Sequence, residues 1–212
     1  QAALAEAAGD LPARLDALRR VVALGGSPAD RQALAAAARA GGDEATFASE
    51  LRAVLTGSPG SPLALAALAE LRAAGYEIDP GDEGLVYYRR GDYARAQSAF
   101  LRAVTVVEGK SGADLAFEYF YLGAAYEDGG RPGDAVAAYD SAALADPASN
   151  WAHRAQYWAA RVAEAGGDGQ GASARYAALV RNGPAGEFSA ESGFRAGFTL
   201  LQAGLAGEAL AA

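Results

Sequence analysis

The chain has 212 residues, of which 51% are hydrophobic, and its formal net charge at pH 7 is −8. The negative charge argues against a nucleic-acid backbone as the main partner. The absence of cysteine excludes disulfides and thiolate chemistry, and no apolar run approaches the roughly 20 residues that a membrane span needs. Ala, Leu, Arg and Glu dominate while Ile, Val and Thr are few, so an all-α fold is expected.

The region 1–60 is predicted to form Ala-rich helical hairpins. Gly9-Asp10 and Gly42-Asp43 mark turns in this region, which lacks the regularly spaced aromatic residues found later. The run GSPGSP at 57–62 is the best internal linker, and a helix is expected from Pro62 to Ala74. We therefore predict degenerate hairpins over 1–60 and regular repeats over 61–212, together forming one continuous solenoid.

The clearest pattern is YFYLGAAYEDGGRPGDAVAAYDSAALADP at 119–147. Spacings of three and four residues place one set on a single face of a first helix: Tyr119, Leu122, Gly123 and Tyr126. The turn at 129–132 ends that helix. A second helix follows, and its facing stripe is formed by Ala135, Tyr139 and Ala142. Small residues in both stripes predict a close crossing of two antiparallel helices.

This unit resembles the tetratricopeptide repeat, a 34-residue helical hairpin. The matching residues are Leu122, Gly123, Tyr126, Gly130, Ala135, Tyr139, Ala142 and Pro147. Turn glycines recur at Gly91, Gly130, Gly167 and Gly204, at spacings of 39, 37 and 37 residues. The segment EIDPGDE before Gly84 is expected to be too loop-like for a full first helix. The resemblance implies an α-α superhelix in which each hairpin stacks on its neighbour.

In this repeat family the first helices line the concave face. That resemblance implies a binding face made of Tyr88, Phe117, Phe120, Arg154, Tyr157, Arg161, Phe194 and Phe198. Aromatic and arginine side chains are enriched at binding hot spots, so such a face would suit an extended peptide, a partner helix or a stacked sugar ring. The alternative is that these aromatic rings pack between adjacent hairpins.

No pattern of catalytic or metal-binding residues stands out. His153 is the single histidine, and it has no cysteine or second histidine with which to form a zinc site. The glycine-rich run GGDGQG at 166–171 falls at a hairpin turn and lacks a following Gly-Lys-Ser/Thr, so phosphate binding is not expected. We expect no catalytic, cofactor or metal site in this segment.

A second resemblance concerns residues 60–212, which are similar to the superhelical, non-catalytic region of bacterial soluble lytic transglycosylases. Tyr157, Trp158, Arg161, Glu164, Gly167 and Asp168 reproduce a Tyr-Trp-x-x-Arg-x-x-Glu-x-x-Gly-Asp pattern of that region. Glu191-Ser192-Gly193-Phe194 looks like the start of the family's catalytic module. We reject that match because Glu191 falls in the repeat register and the chain after it is far too short for such a module.

The sequence starts inside a helix-like run and ends part-way through another, without methionine or signal-sequence features. It is expected to be a mature or trimmed segment, and uncapped end repeats would allow copies to stack head to tail into filaments.

Two functions are therefore expected. The first is a non-enzymatic scaffold that binds a protein, a peptide or its own copies. The second is the substrate-positioning region of a peptidoglycan lytic enzyme, and this resemblance implies an extracytoplasmic location that is periplasmic, cell-surface or extracellular.

Overall fold

A computed structural model describes residues 10–106, 108–182 and 188–209, without the side chains of Asn182 and Glu208. Within these ranges the chain forms helices and no strand, which confirms the all-α prediction. In chain order the helices are α1 Leu11–Ala23, α2 Pro28–Ala40, α3 Glu44–Gly57, α4 Pro62–Ala73, α5 Pro80–Arg89, α6 Tyr93–Thr105, α7 Gly112–Asp128, α8 Pro132–Ala145, α9 Asn150–Ala165, α10 Gly169–Asn182, α11 Ser189–Gln202 and α12 Ala206–Ala209.

The chain divides into two compact units between Asp92 and Tyr93. Unit 1 contains α1–α5 and unit 2 contains α6–α12. In both units each helix packs against the next one, and helices two apart in sequence also touch, as α2 and α4 do in unit 1 and α7 and α9 in unit 2. This nearest-neighbour packing is that of an α-α superhelix. The predicted division into 1–60 and 61–212 stays a prediction.

A glycine with positive φ follows the first helix of each predicted hairpin in the described residues. Gly130 has φ = 76°, its N–H donates to Glu127 O at 3.0 Å, and the next N–H, of Arg131, donates to Tyr126 O at 2.8 Å. These two bonds satisfy carbonyls that the helix end leaves unpaired, and glycine adopts the left-handed conformation at the lowest cost. The predicted turn glycines all have positive φ: Gly42, Gly91, Gly130, Gly167 and Gly204. Gly9 and the two ends of the chain lie outside the described residues.

The acidic segment before Gly84 begins a short helix rather than a loop. The Asp79 carboxylate accepts hydrogen bonds from the N–H groups of Gly81 and Asp82, at 2.8 and 3.1 Å, which caps α5. Pro80 follows in the first turn, where its missing N–H costs nothing. With ten residues, against 17 in α7, α5 is a shortened first helix, as the sequence pattern suggests.

The predicted close crossing of the 119–147 hairpin is present between α7 and α8. A Cβ atom added to Gly123 would lie 2.6 Å from Cδ1 of Tyr139, whose side chain is fully buried. The corresponding pair in the next hairpin is Ala160 and Tyr176, which share one core cluster. Small residues on the first helix thus make room for a tyrosine on the second.

Among the residues described, no helix combines the length and the apolar character that a membrane crossing requires.

Gly123→Ala should destabilise unit 2 by about 1–3 kcal/mol, because the new methyl group overlaps a buried ring that cannot move away. The free energy of unfolding, measured by urea denaturation followed by circular dichroism, tests this. Gly133→Ala is the matched control, since nothing lies within 4 Å of its added Cβ, and it should change stability by at most about 1 kcal/mol. Equal stability of the two variants would contradict the crossing geometry.

Candidate functional site

The first helices of unit 2, α7, α9 and α11, carry aromatic side chains that form separate groups. Trp151, at the start of α9, packs against three rings of α7: it lies 5.1 Å from Phe117, 5.2 Å from Phe120 and 5.7 Å from Tyr121 between ring centroids. Phe120 also contacts Tyr139 of α8 at 5.6 Å. These contacts fix the orientation of the indole ring before any ligand binds.

A second group of rings joins α9 to the start of α11. Tyr157 stacks on Phe188 with 4.6 Å between centroids and an interplanar angle of 26°. Tyr157 also touches Tyr176 and Trp158, each at 6.0 Å. Tyr157 and Tyr176 are buried, whereas Trp158 and Phe188 are half-buried, so this group is partly core and partly surface.

Two arginines of α9 lie over the two tryptophans. The guanidinium of Arg154 is 5.4 Å from the Trp151 ring centroid, and that of Arg161 is 4.8 Å from the Trp158 centroid. Each arginine follows its tryptophan by three residues, and the two pairs are seven residues apart, so both lie on one side of α9. We call these four residues the tryptophan–arginine row. Such cation–π contacts contribute about 0.5–1 kcal/mol each at exposed sites.

Both regular hairpins also contain a tyrosine–glutamate hydrogen bond. The Tyr139 hydroxyl donates to Glu127 Oε2 at 2.8 Å, and the Tyr176 hydroxyl donates to Glu164 Oε2 at 2.9 Å. In both cases the tyrosine follows the glutamate by 12 residues. The bond therefore recurs with the repeat and ties the end of each first helix to its second helix.

Glu127 lies beside the row and has a raised pKa. Burial is the main cause and the nearby Asp128 carboxylate adds to it, while the Tyr139 hydrogen bond and the charge of Arg161 act in the opposite direction. Desolvation of the carboxylate thus outweighs its favourable partners.

A polar network connects α9 to α11. Arg195 Nη1 donates to Glu164 Oε2 at 2.9 Å, and Arg195 Nε donates to Glu191 Oε1 at 2.8 Å. Hydrogen bonds from Tyr157 and Arg195 lower the pKa of Glu191. Burial and the bond to Glu164 raise the pKa of the Tyr176 hydroxyl. A lowered carboxyl pKa is the opposite of what a general acid needs, and Glu191 here joins two helices.

The sequence-predicted site residues occupy three settings. Phe120 and Tyr157 are buried, as the inter-hairpin alternative expects, whereas Phe117 and Arg154 are half-buried beside Trp151. The exposed members are Arg161, Phe194 and Phe198. Tyr88 is half-buried on α5 and belongs to unit 1, so it is described separately from the others.

Sequence reasoning missed Trp151 and Trp158 as members of this face. The signal available was the W-x-x-R pattern, which occurs at 151–154 and again at 158–161. Repeat offsets do not reveal it, because the pattern recurs within one helix rather than from hairpin to hairpin.

A groove of about 430 Å³ lies between α8, α9 and α10. Its charged lining residues, Asp140 and Arg175, form an ion pair with N–O distances of 2.5 and 2.9 Å. The other lining residues are Ala143, Leu144, Gln156 and Ala178. Because Asp140 and Arg175 are bonded to each other, a ligand in this groove would have to compete with their ion pair. The groove is therefore a weaker candidate than the tryptophan–arginine row.

In the part of the chain that the structure describes, no group of three or more histidine, aspartate or glutamate side chains is placed to hold a metal ion. His153 is half-buried on α9.

A scan against protein-family models finds no matching family, and a search of curated proteins finds no significant match. The case for a function therefore depends on the geometry described above.

Glu127→Gln should change how stability depends on pH. A carboxyl group with a raised pKa stabilises the fold while it is protonated, and this contribution is lost as pH rises from the ordinary Glu value of 4.5 through the raised one. The stability of the variant relative to the unaltered chain should therefore be more favourable at pH 7 than at pH 4. Urea denaturation at both pH values measures this difference.

The control for this measurement is Glu77→Gln, which removes an exposed carboxylate on unit 1. A Glu127→Gln difference that is the same at pH 4 and pH 7 would show that burial does not dominate at this carboxyl group.

Proposed function

We propose that the chain is a non-enzymatic, tetratricopeptide-like scaffold that binds an extended segment of another protein along α9. The observation that carries this proposal is the tryptophan–arginine row, which combines held aromatic rings with cationic side chains. Tryptophan and arginine are the residues most enriched at binding hot spots.

Preorganisation supports the proposal. Trp151 is held by the rings of Phe117 and Phe120, so little side-chain freedom remains to be lost when a ligand stacks on it. Trp158 packs against the core cluster that contains Tyr157 and Tyr176. The guanidinium groups of Arg154 and Arg161 lie over these rings, so a partner segment would contact each indole together with its arginine.

The spacing of the row sets the geometry of the partner. Seven helical residues span about 10 Å at roughly 1.5 Å each. A peptide in the polyproline II conformation covers that distance in about three residues at roughly 3.1 Å each, and its side chains return to the same face every three residues. We therefore propose a partner segment with apolar or aromatic side chains three residues apart. Carboxylate or carbonyl groups beside them would accept hydrogen bonds from Arg154 and Arg161.

Selection from a random dodecapeptide library against the whole chain tests this proposal. Selected peptides should carry apolar or aromatic residues three apart, and Arg161→Ala should weaken their binding about tenfold, because an exposed arginine of the row is lost. Isothermal titration calorimetry measures the affinities. Arg175→Ala on the second helices is the matched control and should change affinity less than about twofold. Binding that depends on Arg175 but not on Arg161 would refute the proposed surface.

The second candidate function is binding of peptidoglycan glycan strands, as in the superhelical region of lytic transglycosylases. The half-buried indole rings of Trp151 and Trp158 favour it, because flat indole rings can stack on sugar rings. In this reading the chain would position a substrate and act outside the cytoplasm.

Sedimentation with insoluble peptidoglycan separates the two functions. Sugar stacking depends on the ring, so Trp158→Phe should retain the chain on peptidoglycan, whereas Trp158→Leu, which keeps apolar bulk, should reduce retention about tenfold. If the unaltered chain is retained on peptidoglycan no better than a Trp158→Leu/Trp151→Leu variant, glycan binding is contradicted and the peptide proposal stands.

A further inference from the structure

Helix α11 carries an apolar stripe that the rest of the described chain leaves uncovered. Phe194 is 68% exposed, Phe198 39% and Leu201 55%. Their spacing of four and three residues puts them on one face, and the rings of Phe194 and Phe198 stack with 5.3 Å between centroids. We call these three residues the α11 stripe.

The same position is buried in the two preceding hairpins. Phe194 lies ten residues before the turn glycine Gly204, as Tyr157 does before Gly167 and Phe120 before Gly130. Tyr157 is 5% exposed and Phe120 is 9% exposed. Phe194 is therefore the third member of a structural series whose first two members are covered.

What covers the first two members is known from their contacts. Trp151 packs on Phe120 at 5.2 Å, and Phe188 stacks on Tyr157 at 4.6 Å. Trp151 is the second residue of α9 and Phe188 immediately precedes α11. We call each contact between neighbouring first helices a joint. In both joints an aromatic residue at the start of one first helix covers the aromatic residue of the preceding first helix, and the two residues are 31 positions apart in each case.

Leu201 changes the chemistry at the other end of the joint. The corresponding residues in the preceding hairpins are Glu164 and Glu127, and Glu164 is bonded to Arg195 of the next first helix at 2.9 Å. Arg195 lies seven residues after Phe188. In the α7–α9 joint the residue at the same position, seven after Trp151, is Trp158. A leucine in place of the glutamate offers no partner to an arginine, so an apolar side chain, as in α9, fits there better.

We propose that the α11 stripe is a docking surface for an amphipathic helix of a partner protein. That helix would carry an aromatic residue in its first turn, placed on Phe194, and an apolar residue seven positions later, placed beside Leu201. This surface is separate from the tryptophan–arginine row, so it stands whether or not the row binds peptides. Helix α9 has the required pattern itself, with Trp151 and Trp158, and supplies a probe of known sequence.

The experiment uses a fluorescein-labelled, lactam-bridged peptide with the α9 sequence NWAHRAQYWAARVAEA and measures its anisotropy against the whole chain. We expect saturable binding with one peptide per chain. Replacing the first tryptophan of the peptide by alanine should weaken binding about tenfold, as should Phe194→Ala/Phe198→Ala in the chain, because each removes one side of the aromatic joint.

Two chain variants serve as controls, and a third tests the aromatic rings separately from folding. Leu144→Ala removes an exposed apolar side chain from α8 and should change affinity less than about twofold. Arg161→Ala should also leave it unchanged, which separates this surface from the row. Phe194→Leu/Phe198→Leu keeps the apolar area but removes the rings, and it should also lose affinity. Circular dichroism shows whether each variant folds, so the leucine variant tests the stripe if the alanine variant folds poorly.

Absence of binding at millimolar peptide, or equal binding of the tryptophan-to-alanine peptide, would overturn the proposal. Loss of binding in Leu144→Ala or Arg161→Ala would also overturn it by moving the contact elsewhere. Sedimentation velocity of the chain alone identifies a competing occupant. Association that is abolished by Phe194→Ala/Phe198→Ala would show that a second copy covers the stripe, and this would replace the partner helix.

Discussion

The close contact between the two helices of each hairpin is the interaction on which the rest of unit 2 depends. At the α7–α8 crossing a buried tyrosine ring occupies the space that a side chain at Gly123 would need, and the hydroxyl of the same tyrosine bonds to Glu127. The ring sets how closely the helices approach, and the hydroxyl adds a hydrogen bond between them. Because Tyr176 and Glu164 repeat this bond in the next hairpin, successive hairpins present equivalent faces to one another.

That regularity determines how aromatic residues are divided between core and surface. Residues at the joints, such as Phe120 and Tyr157, are covered by the next first helix and stabilise the stack by burial. Trp151 and Trp158 lie at the margins of the same joints, where each half-buried indole packs against a neighbouring ring and has an arginine over it. The candidate binding face is therefore the uncovered edge of a structural interface, which accounts for its rigidity without a dedicated pocket.

Much of the hairpin architecture could be predicted from the sequence because it depends on local signals. The turn glycines, the small residues at the crossing and the capping residues each act within a few positions of the chain. The division of the aromatic residues could not be predicted in the same way, since the ring that covers Phe120 is that of Trp151, which is distant in sequence and belongs to another hairpin. Lys110 acts over a shorter range: its ammonium contacts the buried carboxylate of Glu118, eight residues later, and the carbonyl of Ala103, seven residues earlier, so it joins α7 to α6.

An aromatic residue at the start of α9, and another just before α11, covers the ring of the preceding first helix. These successive hairpins therefore make the same aromatic contact with their neighbours. Each joint presents a ring on one side and accepts a ring on the other, and the two sides recur at equivalent positions of successive hairpins. Excising one whole hairpin would bring Phe188 onto Phe120, and duplicating it would create a joint of the existing kind. The number of hairpins can thus change while the aromatic contact between neighbouring first helices stays of the same kind.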